Sequence, residues 1–132
     1  MAGVHCFEDL IIWQKARELC KDIHRITKYE TFSHDYKFKN QINSSSGSVM
    51  DNIAEGFERN GNKEFIQFLY IAKGSCGEVR SQLWRAYDFE YIKENEFDEM
   101  KNKTEQLSKN LSNFIQYLQN SEIKGTKFKQ NP

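Results

Sequence analysis

Two residues able to carry out nucleophilic chemistry are spaced for contact near the start of the chain. Cys20 and His24 lie four residues apart, so on a helix they would share one face. In contact they would form an activated thiol or half of a metal site. The alternative is a buried cysteine beside an exposed histidine, because free cysteine behaves as a small apolar residue. We expect this second arrangement.

Metal and phosphate sites need stricter spacing. A di-iron centre in a helical bundle uses Glu-x-x-His pairs, and the residues three positions before His5, His24 and His34 are alanine, lysine and threonine. The glycines around Gly56 and Gly74 do not fit the GxxxxGK[ST] pattern of a phosphate-binding loop. The sequence therefore predicts no metal site and no cofactor.

Three glutamates of the central segment are the best candidates for acid–base catalysis, namely Glu55, Glu64 and Glu78. Structural bonds are the simpler role for them. Glu55 precedes Arg59 by four residues, the spacing of an ion pair along a helix, and Asn52 lies on a neighbouring stripe. We therefore expect no enzymatic activity.

Basic and aromatic side chains are mixed between residues 63 and 87, where they would be able to hold a nucleic-acid backbone and stack on a base. Lysine and arginine side chains bind phosphates, while aromatic rings stack on nucleobases. The candidate nucleic-acid contacts are Lys63, Lys73, Arg80 and Arg85. A solvated helix face with Trp84 packed at an interface is the alternative. The whole chain has 19 basic and 19 acidic residues, so any surface that binds anions must be assembled locally or by repetition in an oligomer.

Four amphipathic helices would position these side chains. Apolar residues recur at three- and four-residue spacing in each of four stretches, which is the period of a helix with one buried face. The predicted helices run from about 7 to 29, 35 to 57, 62 to 87 and 95 to 119. Short joints make neighbouring helices antiparallel, so the predicted fold is an all-α, up-down-up-down four-helix bundle.

Around this bundle the sequence predicts two smaller segments. Residues 1–6 form an N-terminal extension, residues 7–119 the bundle, and residues 120–132, which lack periodicity, a flexible C-terminal tail. We expect the second, third and fourth helices to be capped at their N-termini by Ser33, Gly61 and Asn95.

Small residues interrupt two of the predicted helices. The run from Ser44 to Ser48 has weak helix propensity, so the second helix either continues through it or breaks there. Gly74 and Gly77 stand in the middle of the third helix. Mid-helix glycine is unfavourable unless close packing offsets it, so we expect this turn to lie against a neighbouring helix, and small residues around Gly47 allow a similar approach.

Cysteine usage indicates the compartment. Cys6, Cys20 and Cys76 are odd in number and contain no close CxxC pair, which fits a reducing cytoplasm. The chain shows no signal-peptide pattern and no run of eighteen apolar residues, so we expect a cytoplasmic protein without a membrane partner.

Several aromatic residues look too exposed for a lone bundle to cover. The candidate interface residues are Trp13, Trp84, Tyr87 and Phe89. Exposed apolar groups of this size mark interaction sites. They favour a homo-oligomer or a protein partner.

Three sequence blocks resemble one known family. They are FEDLIIWQKA (residues 7–16), NIAEGFER (residues 52–59) and NKEFIQFLYIAKGSCGEVRSQL (residues 62–83). Together they resemble the four-helix-bundle proteins encoded within intervening sequences of bacterial 23S ribosomal RNA genes, in the same order from about Phe7 to Leu118. The polar and glycine residues of these motifs are Asn52, Glu55, Gly56, Arg59, Glu64 and Glu78.

This resemblance implies a ring-shaped homopentamer with no known enzymatic activity. The accessory protein of diversity-generating retroelements looks like a relative, and it is a basic pentamer that engages a reverse transcriptase and nucleic acid. Two hypotheses follow for this chain. It binds RNA or DNA, or it is an adaptor that docks a protein such as a reverse transcriptase through Trp84, Tyr87 and the acidic residues 88–99.

Overall fold

The structure, a computed structural model, describes residues 1–59 and 61–125. A short 3-10 turn at Phe7–Asp9 is followed by five α-helices, and no residue in the described ranges belongs to a strand. The helices are α1 (Ile11–Ile26), α2 (Glu30–Ser33), α3 (Tyr36–Glu58), α4 (Asn62–Asp88) and α5 (Glu94–Gly125). The all-α prediction is confirmed.

The four long helices run antiparallel to their neighbours. Cys20 of α1 contacts Ser46 of α3, while Thr27, the residue that follows the end of α1, contacts the earlier residue Asn43 of α3. Numbers that rise on one helix and fall on the other define an antiparallel pair. The other neighbouring helices show the same reversal. Between α3 and α4 the contacts are Ser48 with Ser75 and Gly56 with Phe68. They are Phe65 with Phe114 and Trp84 with Phe97 between α4 and α5, and Lys15 with Asn110 and Asp22 with Lys103 between α1 and α5.

The helix α4 supplies the longest apolar stripe of the core. Its buried residues recur every three or four positions, so α3 covers one flank of the stripe and α5 the other. The third side of α4 faces outward. The buried apolar residues of this helix are Phe65, Ile66, Leu69, Ala72, Cys76, Val79, Leu83 and Ala86.

The start of α3 corrects one predicted cap. Ser33 was expected at this position, but it ends α2, and its hydroxyl donates to the carbonyl of Glu30. The cap is Asp35, whose carboxylate accepts a 3.3 Å hydrogen bond from the backbone N–H of Phe38. Tyr91 also donates to the Asp35 carboxylate over 2.8 Å, so a distant contact favours this cap.

Of the other two predicted N-caps, one is confirmed and one is wrong. Gly61 is the N-cap of α4 as predicted, with φ at 102°, a conformation that favours glycine. The prediction of Asn95 is wrong, because α5 already begins at Glu94. Glu96 accepts a 3.1 Å bond from the N–H of Lys93, as the third residue of a capping box does.

The helix α3 is continuous where a break was possible, and α5 is longer than predicted. The helix α3 passes unbroken through residues 44–48, where Ser45 and Ser46 donate to backbone carbonyls of the preceding turn. The helix α5 continues to Gly125, beyond the end predicted at about residue 119. Residues 126–132 of the predicted tail lie outside the described residues. The first helix is shorter than predicted, since extended Leu10 separates the 3-10 turn from α1 and α1 ends at Ile26.

The expected close packing at Gly47, Gly74 and Gly77 is wrong. A Cβ atom built on any of these glycines meets nothing within 4 Å in the chain, because they face outward. The close approach occurs at Gly56 instead. A Cβ there would lie 2.7 Å from the Cβ of Phe68 and 2.9 Å from a ring carbon of Phe65.

Replacement of Gly56 by alanine should therefore destabilise the bundle. The added methyl group would push α3 away from α4, and overpacking of this kind costs about 1–3 kcal/mol. The matched control is Gly74→Ala, which should raise the free energy of unfolding by about 0.5–1 kcal/mol because the site is open. Urea denaturation of both variants measures the difference, and equal stabilities would contradict the close contact.

Candidate nucleic-acid interface

The four predicted nucleic-acid contacts lie on one side of α4. At 100° per residue, Lys63, Lys73, Arg80 and Arg85 fall within roughly 140° of arc that begins at the margin of the buried stripe. The exposed carboxylate of Asp88 lies on the same arc. Lys73 is half-buried and the other three are exposed. None of the four forms an ion pair with a carboxylate in the described part of the chain. We call this surface the α4 basic face.

Some bases on other helices form ion pairs, while others on α1, α3 and α5 have none among the described residues. Lys103 of α5 lies 2.8 Å from the Asp22 carboxylate of α1, and Lys101 lies 2.9 Å from Glu105. Lys21 and Arg25 of α1 also have carboxylates within 4 Å. An ion pair of this kind uses part of the charge that would otherwise attract an anion. The α4 basic face therefore concentrates positive charge in a chain that is neutral overall.

Aromatic rings accompany these bases. Tyr70 and Trp84 project from the same arc of α4 and are 53% and 46% exposed. Trp84 packs against Phe97 at 4.5 Å between ring centroids, which anchors it while leaving much of its surface accessible. The guanidinium carbon of Arg85 lies 4.2 Å from the ring centroid of Phe38, a cation–π contact that positions the cation. The arrangement suits both phosphate binding and base stacking.

The predicted interface residues are only partly exposed. Trp13 is half-buried against Phe7, with ring centroids 5.1 Å apart. Tyr87 is half-buried and stacks on Phe97 at 4.9 Å. Phe89 is 52% exposed, like Trp84. Two of the four residues are therefore half-buried, whereas Trp84 and Phe89 keep about half of their surface exposed although each contacts another ring.

An acidic cleft lies at the end of α4 and encloses about 1080 Å³. Tyr29 donates a hydrogen bond to Glu96 in this cleft, and the bond raises the pKa of Tyr29. The bond between Tyr91 and Asp35 likewise raises the pKa of Tyr91. Both tyrosines therefore remain neutral donors at physiological pH. The side chains lining the cleft include Tyr29, Tyr87, Asp88, Glu90, Tyr91, Glu94 and Glu96.

Most polar motif residues have structural partners. The amide of Asn52 donates to the carbonyl and hydroxyl of Ser48 over 2.7 and 2.9 Å. Arg59 binds Glu55 over 3.3 Å and lies 5.2 Å from the ring of Phe68. Gly56 provides the close helix contact described above.

The candidate catalytic glutamates do not form a carboxylate pair. Glu64 and Glu78 are exposed on α4, and fourteen residues of helix separate them by about 21 Å. Glu55 lies on α3 in its ion pair with Arg59. Two of these carboxylates could cooperate in catalysis only if both lay within reach of the same substrate.

The thiols are held in the protonated form. Cys20 donates a 3.0 Å bond to the carbonyl of Ser46, while His24 is exposed, so the two residues do not form an activated pair. Burial raises the pKa of Cys20 and raises that of Cys76 to about 11. Across the described residues, no group of three or more histidine, cysteine or acidic side chains is placed to hold a metal ion.

Sequence reasoning missed a polar groove between α3 and α4. The groove encloses about 570 Å³. Gln82 lines it, and only 5% of the surface of this residue is exposed. Its signal in the sequence is a glutamine at the spacing of a core residue, opposite a run of serines. The residues that line this α3–α4 groove are Asn40, Gln41, Ser44, Ser45, Ser48, Glu78, Gln82 and Arg85.

Among the described residues, no helix is long and apolar enough to cross a membrane.

Comparison with known proteins supports the fold and identifies the family. A crystal structure of a protein of unknown function from Bacteroides thetaiotaomicron, assigned to the S23 ribosomal protein family, superposes with a TM-score of 0.73. It is 23% identical, and the match covers 80% of this chain and 98% of that one, which establishes a shared fold. No curated protein matches the chain. The model of the 23S rRNA-intervening sequence protein family matches residues 8–113, and the chain belongs to that family.

Proposed function

We propose that this protein is a non-catalytic helical bundle that binds RNA or DNA through the α4 basic face. The observation that carries the proposal is the set of four bases without ion pairs in the described part of the chain, lying on one arc of one helix. Lysine and arginine side chains that have no carboxylate partner attract phosphates, and the nucleic acid releases counterions when they bind. Trp84 and Tyr70 on the same arc provide surfaces for stacking.

The non-catalytic part of the proposal is supported by the chemistry of the interior. Cys76 is buried with a raised pKa, so its thiolate is scarce at neutral pH. Glu64 and Glu78 are far apart, and Glu55 is engaged by Arg59. A cytoplasmic location belongs to the same proposal, because the three cysteines are free thiols.

Assembly would multiply the effect of the α4 basic face. One chain has no net charge and only four such bases, whereas a ring of five copies would repeat them around its surface. We therefore include the homopentamer in the proposal, following the family resemblance. Exposed Phe89, at the end of α4 and outside the basic face, provides apolar surface that a contact with another copy would bury.

A second candidate function is an adaptor that docks a protein partner, for example a reverse transcriptase. The acidic cleft beside Tyr87 favours it, because carboxylates and tyrosine rings together suit a lysine- or arginine-rich segment. This function uses the opposite charge from nucleic-acid binding and a different end of α4. A protein that binds no nucleic acid in the experiment below would leave the adaptor as the remaining hypothesis.

The first test is removal of charge from the α4 basic face. The double variant Arg80→Gln, Arg85→Gln should weaken binding of structured RNA about tenfold or more at low salt, because two phosphate contacts are lost. The slope of log affinity against log salt concentration should fall by about 0.7 for each single-stranded contact. Fluorescence anisotropy over a salt series measures both.

The matched control removes two bases that already have carboxylate partners. Lys101→Gln, Lys103→Gln changes the charge by the same amount but disturbs the ion pairs with Glu105 and Asp22. It should alter affinity much less than the α4 double variant. Equal effects of the two double variants would show general electrostatic attraction and contradict a defined face. Failure of the unmodified protein to bind either RNA or duplex DNA at low salt would rule out nucleic-acid binding.

The second test concerns assembly. Sedimentation velocity at micromolar concentration should give a single species near five times the 15.6 kDa mass of the chain. Phe89→Ala should shift the distribution toward smaller species, because it removes exposed apolar surface that lies outside the α4 basic face. Observation of the monomer alone, for the unmodified protein, would exclude the assembly.

A further inference from the structure

One buried polar atom of the α3–α4 groove has no partner. Gln82 lies on α4 between Glu78 and Arg85, and its Oε1 atom is inaccessible to solvent and accepts no hydrogen bond within the described chain. A buried acceptor without a donor is unfavourable, because it loses its bonds to water and gains none in return. A ligand that donates a hydrogen bond to this atom, with a small rotation of the side chain, would remove that cost.

The rest of the groove restricts the chemistry of such a ligand. All eight residues that line it are polar, so an apolar peptide side chain or lipid would find no matching surface. The hydroxyl of Ser45 is already used by the carbonyl of Gln41, and that of Ser48 is shared with Ser75 and Asn52. Rotation of the Gln82 side chain would turn its vacant acceptor, which is inaccessible as it stands, toward a hydroxyl or amine donor in the groove.

Charge at the two ends of the groove adds a second requirement. Arg85 lies three residues after Gln82, so the two side chains are neighbours on the helix surface. The contact with Phe38 positions the guanidinium, and no carboxylate in the described chain pairs with it. Glu78 lies four residues before Gln82 and repels anions from the opposite end. The ligand must therefore place a donor at Gln82 and a negative group at Arg85.

We propose that the α3–α4 groove binds the ribose–phosphate backbone of single-stranded RNA. The ribose 2′-hydroxyl donates to Oε1 of Gln82, and the phosphate attached to the adjacent 3′ position accepts from the guanidinium of Arg85. This inference rests on the proposed nucleic-acid binding and adds to it a preference for RNA over DNA, since the 2′-hydroxyl is the group that DNA lacks.

The test compares three backbones of one base sequence on the full-length protein: single-stranded RNA, DNA and 2′-O-methyl RNA. We expect RNA to bind about three- to tenfold more tightly than the other two, the effect of one net hydrogen bond. Methylation removes the donor and keeps the phosphate, so this comparison needs no change to the protein. Equal affinity for the three backbones would overturn the inference while leaving the proposed function intact.

Variants of the glutamine complete the experiment. Gln82→Met removes the acceptor at similar length, and it should lower RNA affinity to the level of DNA without weakening DNA binding. The matched control is Gln67→Met, at an exposed glutamine of α4 outside the groove, which should leave the preference unchanged. Circular dichroism verifies that each variant folds. A preference for RNA that survives in folded Gln82→Met would overturn the assignment of this residue.

Two other outcomes separate the inference from its foundation. Failure of every nucleic acid to bind at low salt would refute the proposed function, and the RNA preference with it. Adenosine 3′-monophosphate at millimolar concentration provides the last comparison, since it carries a ribose 2′-hydroxyl and the adjacent phosphate without a strand. Displacement of RNA from the unmodified protein but not from Gln82→Met would support a shared ribose–phosphate site in the groove, and equal displacement from both proteins would overturn the role of Gln82.

Discussion

The close approach of α3 and α4 at Gly56 fixes the geometry on which the candidate sites depend. A glycine there lets the α3 backbone reach the side chains of Phe65 and Phe68 with no room for a further methyl group. One contact of this kind sets the register of two long antiparallel helices, and the hydroxyl pair of Ser48 and Ser75 lies further along the same seam. With that register fixed, the α3–α4 groove forms beyond the serines, where the facing side chains are small or polar.

The same packing decides which charges remain available. Because α3 and α5 cover both flanks of the α4 stripe, the bases of α4 can only lie at its margins or on its outward side. On α1 and α5, which also pack together, carboxylates and bases meet across the helix boundary, as Asp22 and Lys103 do. On the arc of α4 that carries its bases, Trp84 and Tyr70 contact Phe97 and Gln119 of α5, but the bases have no carboxylate within 4 Å among the described residues. A neutral protein thus acquires a local basic face through the position of one helix.

Sequence periodicity was sufficient for the helices and insufficient for their environment. The four long helices follow from apolar spacing, while the four-residue α2 is too short to produce a period. Ser33 and Asp35 are both good caps, and the contact with Tyr91, fifty-six residues away, accompanies the choice. For glycines the missing information was helix rotation. Gly56 continues the buried series of Val49 and Ile53, a signal that indicated its close packing, whereas Gly74 faces outward.

The candidate site was predictable in its residues and not in its pairing. The bases of α4 are visible in the sequence, but an ion pair such as that of Asp22 with Lys103 joins residues far apart in the chain. The groove could not be predicted in the same way, because it forms only where two helices face each other. Its one advance sign was Gln82, a polar residue where the period of α4 calls for an apolar one, next to buried Leu83.

That exception also separates the requirements of folding from those of binding. The other buried polar side chains of the described chain satisfy themselves locally: each hydroxyl donates to a carbonyl three or four residues earlier, in Thr27, Ser45, Ser46 and Thr104. These bonds cost the fold nothing further and explain why such residues are tolerated in the core. Gln82 has no comparable bond at Oε1, and a leucine or methionine would pack there without the penalty. Its carboxamide is accounted for by a ligand more readily than by the stability of the bundle.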